Sequence, residues 1–65
     1  MQIGDRVKVP GEMFGTVVCN IDFGQFSSEY PEAQWGYLTT GILVLTDEAG
    51  LVHLPDASSA EKISN

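Results

Sequence analysis

A chain of 65 residues has room for one domain and a small core, and such cores barely offset the entropy of ordering the backbone. Its single cysteine excludes an internal disulfide, and with only one histidine beside it a four-ligand zinc site would have to be completed by carboxylates, so a partner is the remaining source of added stability. Three cations against nine carboxylates give a net charge of −6, too acidic for the Lys/Arg cluster that nucleic acid or an anionic membrane demands, and suited instead to basic partners.

The segment Met1 to Asp5 carries neither the basic start nor the apolar run of an export leader, and no stretch is long and apolar enough to span a membrane. A cytoplasmic protein is expected. From Ile3 to Val9 the chain alternates, with Val7 and Val9 on one side and Arg6 and Lys8 on the other, which predicts a half-buried strand. Pro10-Gly11-Glu12 breaks it. A second strand is predicted over Phe14 to Ile21, with Val17, Cys19 and Ile21 on one face.

From Asp22 to Gly36 the periodicity disappears, and Gly24, Ser27, Ser28, Pro31 and Gly36 punctuate a long connection that still carries Phe23, Phe26, Tyr30 and Trp35. Loops of that length inside a compact domain are commonly functional. The strongest structural signal follows. Leu38 to Pro55 reads as a β-hairpin, two aliphatic runs flanking Asp47-Glu48-Ala49-Gly50, in which Gly50 supplies the positive φ of a tight turn. Asp56 to Ser59 then reads as one capped helical turn, and Glu61 to Ser64 as a short last strand.

Ile42-Leu43-Val44-Leu45 is apolar on both of its faces, whereas a strand between core and water should alternate. Something must cover the second face: the Phe23 to Trp35 loop, or a second copy of the chain in a homodimer.

Ile3-Gly4-Asp5-Arg6-Val7-Lys8-Val9 followed by Phe14-Gly15-Thr16-Val17-Val18 resembles the opening of Src-homology-3-like (SH3-like) barrel families, including KOW and CAP-Gly domains. The resemblance implies an all-β, five-stranded SH3-like barrel over residues 1–65, with a long loop between the second and third strands. It also implies that Gly15 lets the second strand run close to the first. The Gly-Lys-Asn-Asp-Gly signature of CAP-Gly domains is absent, so their binding of acidic tails does not carry over. A KOW-like, RNA-associated role would need Arg6, Lys8 and Lys62 to form one stripe. The strand order expected of such a barrel pairs Ile63 back against the first strand.

No nucleophile has a second catalytic group at recognisable spacing, and no glycine-rich phosphate loop precedes a helix, so neither an enzyme nor a cofactor is expected. Cys19, among valines and isoleucine, reads as an inert core thiol, and His53 as a partly exposed strand residue facing away from Val52 and Leu54. Asp47 and Glu48 read as a solvated turn. The aromatic connection is the remaining candidate. Tyr30, Trp35 and Tyr37, with Glu29 and Glu32 among them, combine aromatic faces with carboxylates, a chemistry that holds a cation or a segment flanked by basic residues. The competing reading has Phe23 and Trp35 plugging the barrel. Two functions follow: a module that binds a basic protein or peptide through this loop, or a structural subunit that self-associates through the central hairpin.

Overall fold

The computed structural model describes residues 1–63. Antiparallel β-structure dominates it: β1 (Arg6–Val9), β2 (Met13–Asn20), β3 (Gln25–Phe26), β4 (Ile42–Thr46), β5 (Gly50–Leu54) and β6 (Glu61–Lys62). One short helix, α1 (Glu32–Trp35), runs on into a 3-10 turn at Gly36–Leu38, and another 3-10 turn spans Ala57–Ser59. The expected turn after the hairpin is therefore present, and the Asp56 carboxylate caps it by accepting from the Ser58 amide at 3.0 Å.

The strands form one sheet in the order β5-β4-β2-β1-β6, with β3 attached to β2 off this path. The predicted return of the last strand to the first is found, with Val7 opposite Lys62 and the Ile63 amide donating to the Arg6 carbonyl at 2.9 Å. Ser64, the predicted end of that strand, lies outside the described residues. The expected strand count is corrected from five to six, because a two-residue strand forms inside the long connection. The sheet is also open, since β5 and β6 end it without pairing to each other.

Alternation along β1 holds, and Val7 and Val9 are buried while Arg6 and Lys8 point away. The first strand begins at Arg6 rather than Ile3. The residues before it form a turn instead, with the Asp5 amide donating to the Gln2 carbonyl at 3.0 Å, and Ile3 is left exposed. The hairpin turn is as expected, with Leu45 opposite Leu51, Thr46 opposite Gly50 and Gly50 at φ +69°, but its first strand begins at Ile42 and not at Leu38, because Thr39 and Gly41 both take a positive φ that interrupts the extended run. Thr46 Oγ1 closes the turn, donating to the Gly50 carbonyl at 2.6 Å and accepting from the Ala49 amide at 2.9 Å.

The second strand departs from simple alternation. Val17 opposes Val44, but the next pair is Cys19 with Leu43, so Val18 is an extra residue in the ladder. Such a bulge reverses which side chains face which way. Val17 consequently joins the inner core with Val7, Val9, Ile42, Val44, Leu54 and Ala60, whereas Cys19 and Ile21 join Leu43 in a second cluster. The expected single face for Val17, Cys19 and Ile21 is corrected on this ground. Asn20 is the polar residue that the bulge turns inward; it is buried, and its Nδ2 donates to the Met1 carbonyl.

Gly15 serves a different neighbour from the one the barrel resemblance implies. A Cβ there would lie 2.7 Å from the Leu45 carbonyl oxygen and 2.8 Å from Thr46 Cα, so the close approach is to β4.

Both faces of β4 are covered by the chain itself. Ile42 and Val44 face the inner core, and Leu43, 1 % exposed, lies in the second cluster under Phe26, Tyr30, Trp35 and Leu38. The covering stops at Leu45, which is 41 % exposed. A continuous apolar run is thus explained for three of its four residues by burial on both sides.

Candidate functional site

The connection between β2 and β4 is a closed excursion, pinned where it leaves and returns. The amides of Ile21 and Asp22 both donate to the Gly41 carbonyl, at 2.9 and 3.3 Å, while the Gly41 amide donates to Asp22 Oδ1 at 2.9 Å. Gly41 sits at φ +88°, and a Cβ there would fall 1.9 Å from the Leu54 carbonyl oxygen, so only glycine fits between the excursion and β5. His53, on the outer face opposite Leu43, adds a contact from its Nε2 to the Thr40 carbonyl at 2.9 Å.

Inside the excursion, β3 pairs Phe26 with Cys19, and a tight turn at Ser28-Glu29 brings the Tyr30 amide to the Ser27 carbonyl at 3.0 Å. Pro31 follows in an extended conformation and starts α1, its carbonyl accepting from the amides of Gln34 and Trp35. A proline suits this position because its fixed φ leads into the first turn. Cys19 Sγ lies 3.3 Å from the Tyr30 carbonyl, tying the segment to β2.

These local structures gather the three candidate aromatics. Trp35 is half-buried and packs on the cluster of Cys19, Ile21 and Leu43. Tyr37 stacks on it, with ring centroids 6.4 Å apart and planes 23° from parallel, and Tyr30 meets Trp35 at 6.3 Å in a tilted arrangement. Tyr37 is 73 % exposed, so its ring presents an aromatic face to solvent. Glu29 and Glu32, at the turn and at the start of α1, are both exposed.

The excursion lies over the outer face of β2 and β4. Phe23 is 76 % exposed at a 3-10 turn, which removes it from any plugging role; Phe26 packs inward in its place. The sequence reading misplaced Phe23. Gly24 immediately after it, a turn residue, was the available signal that the chain is reversing there.

Charge is segregated across the molecule. Arg6 makes a two-pronged contact with Asp47, 2.8 and 3.3 Å, and its Nη1 also donates to Thr16 Oγ1 at 3.2 Å. This guanidinium holds the Asp47 carboxyl below its ordinary pKa. Lys62 lies 3.6 Å from Asp5, and Lys8 stands opposite Glu61 in the ladder. Arg6 and Lys8 share one face of β1 while Lys62 is in register with the buried Val7, so the three do not line up as one stripe. The excursion contains no Lys or Arg, so nothing within it neutralises Glu29 and Glu32.

A depression of about 480 Å³ is lined by Gln2, Ile3, Gly24, Gln25 and Phe26, apart from the three stacked rings. Among the described residues no group of three or more His, Cys, Asp or Glu is placed to hold a metal, and no helix is long and apolar enough to cross a membrane. Comparison with known proteins matches the chain to no family model, no curated protein and no solved structure.

Proposed function

We propose that the protein is a small interaction module that binds a basic or amine-bearing segment of a partner polypeptide across Tyr30, Trp35 and Tyr37, with Glu29 and Glu32 selecting for positive charge. The observation that carries this reading is the Trp35–Tyr37 stack, packed on the core cluster at its inner side and open on its outer side, in a segment free of cations. An exposed aromatic face costs hydration without stabilising the fold, and beside carboxylates it attracts a guanidinium or ammonium group. Strand order supports an SH3-like barrel as the scaffold: β1 pairs with both β2 and β6, a long bulged β2 pairs with β1, β3 and β4, and a 3-10 turn precedes the last strand. A cytoplasmic setting suits this reading, since a lone thiol such as Cys19 stays reduced there. An RNA-associated role has no comparable support, because Arg6 and Lys62 are each occupied by a carboxylate.

Tyr37→Ala is the sharpest test, since this ring is exposed and its loss leaves the core intact. Capture from the source cell, quantified against wild type, should lose the partner with Tyr37→Ala and weaken it with a Glu29→Gln, Glu32→Gln double variant. Undiminished recovery of the same partner by both would remove the loop from the binding site.

A further inference from the structure

The two ends of the sheet are protected unequally. At one end β6 is two residues long and consists of a glutamate and a lysine, a short charged edge of the kind that resists strand pairing. At the other, β5 runs Gly50-Leu51-Val52-His53-Leu54 without a Lys, Arg, Asp, Glu or Pro, and all five residues pair with β4 without a register shift. No described strand pairs with its outer side. A regular, uncharged edge presents backbone donors and acceptors in the spacing of an incoming strand.

We propose that β5 is a strand-addition edge, on which an extended polypeptide segment, apolar at alternate positions and carrying lysine or arginine at both ends, pairs with Gly50–Leu54. This surface is distinct from the Trp35–Tyr37 stack and does not depend on it. Apolar alternation follows from the edge itself. Val52 is only half-buried against the inner core, so a side chain beside it extends that core, while the opposite side of the strand carries Leu51 next to the exposed Leu45. Cationic ends follow from what flanks the strand. Glu48 precedes it and Asp56 follows it, both exposed; Arg6 reaches the hairpin turn but pairs there with Asp47, while Lys8 and Lys62 lie on β1 and β6 at the far side of the sheet.

The same flanks disfavour a second copy as the occupant. Antiparallel pairing of β5 with itself about Val52 brings Glu48 of each copy toward Asp56 of the other, two like-charge encounters between molecules that each carry −6. A cationic segment turns both encounters into attraction.

The probe is a synthetic peptide, Lys-Lys-Val-Thr-Val-Thr-Val-Lys-Lys with blocked termini, titrated into the isotope-labelled protein while backbone amide shifts and hydrogen exchange are followed. Amides of Gly50 to Leu54 should shift and exchange more slowly on binding. N-methylation of one alternate set of peptide amides should abolish the effect, whereas methylation of the other set should spare it, because only one side of an added strand faces β5. Glutamates in place of the terminal lysines should weaken binding at least about tenfold, and Glu48→Lys should weaken the lysine peptide by about threefold. Equal binding of both N-methylated peptides, equal binding of lysine- and glutamate-ended peptides, or shifts confined to Trp35 and Tyr37 would overturn the edge while leaving the loop reading untouched. Concentration-dependent protection of β5 amides without peptide, with a dimer mass in sedimentation equilibrium, would replace the cationic segment by a second copy and overturn the proposal as stated.

Discussion

Among the glycines Gly41 leaves the least room for a side chain, and two penalties meet there. A methyl group would collide with the Leu54 carbonyl oxygen at 1.9 Å, and its φ of +88° is strained for any L side chain. The colliding atom is main chain and cannot swing away. Gly41→Ala is therefore expected to cost about 3 kcal/mol or more, read as a lowered urea midpoint. Gly24 separates the two penalties, since it too has a positive φ, +67°, but nothing within 4 Å of where a Cβ would stand. Gly24→Ala should cost about 1 kcal/mol, the conformational part alone. Gly24 is plain in the sequence as loop punctuation, whereas Gly41 falls inside the stretch from Leu38 that reads as the hairpin. Which of them is also a packing site depends on how closely β5 passes, and residues far apart in the chain set that distance.

At the scale of elements, the excursion from Asp22 to Gly41 serves as both cover and surface, and two of its aromatics divide those tasks. Trp35 fills space over Cys19, Ile21 and Leu43, so Trp35→Ala opens a cavity and should cost about 3 kcal/mol in urea unfolding. Tyr37→Ala removes a stacked but 73 % exposed ring and should cost about 1 kcal/mol or less. A loss of comparable size at both positions would make Tyr37 a structural residue and leave the loop without an open binding face. The aromatic loop and the doubly apolar β4 were both legible from composition and periodicity, and one feature explains the other. The bulge at Val18 was not legible, because Val17-Val18-Cys19 fits regular alternation equally well and the extra residue is specified by pairing with β4.

Across the whole molecule, three carboxylates link stability to pH in one direction. Asp47 is held low by its hydrogen bonds from Arg6, Asp5 by the Gln2 amide and then Lys62, and Asp56 by the Ser58 hydroxyl and amide. Each has a folded pKa below its ordinary value of 3.8, so between the two values the unfolded chain binds more protons than the folded one. The stabilisation is complete above the ordinary value and is lost as pH falls through the folded one. Urea midpoints should accordingly be level from pH 7 to about 5 and then fall on further acidification. Asp47→Asn should flatten part of that fall, and added salt should reduce its contribution, because Arg6 and Asp47 are exposed. A midpoint that rises on acidification through this window would contradict the assignment.

Local sequence determined the hairpin turn, the capped turn at Asp56 and the alternation of β1, because each rests on side chains within a few residues of one another or on a period the backbone imposes, whereas the return of the last strand followed from the strand order expected of a barrel. It also marked Tyr30, Trp35, Tyr37, Glu29 and Glu32 as the unusual segment. Tertiary structure alone decided which face of the sheet that segment covers, that Phe23 points to water while Phe26 packs, that Cys19 and Val17 part company, and that the sheet ends open at β5. Those outcomes depend on contacts between distant parts of the chain, where volume, register and the closing of backbone hydrogen bonds select one arrangement among several that the local pattern permits.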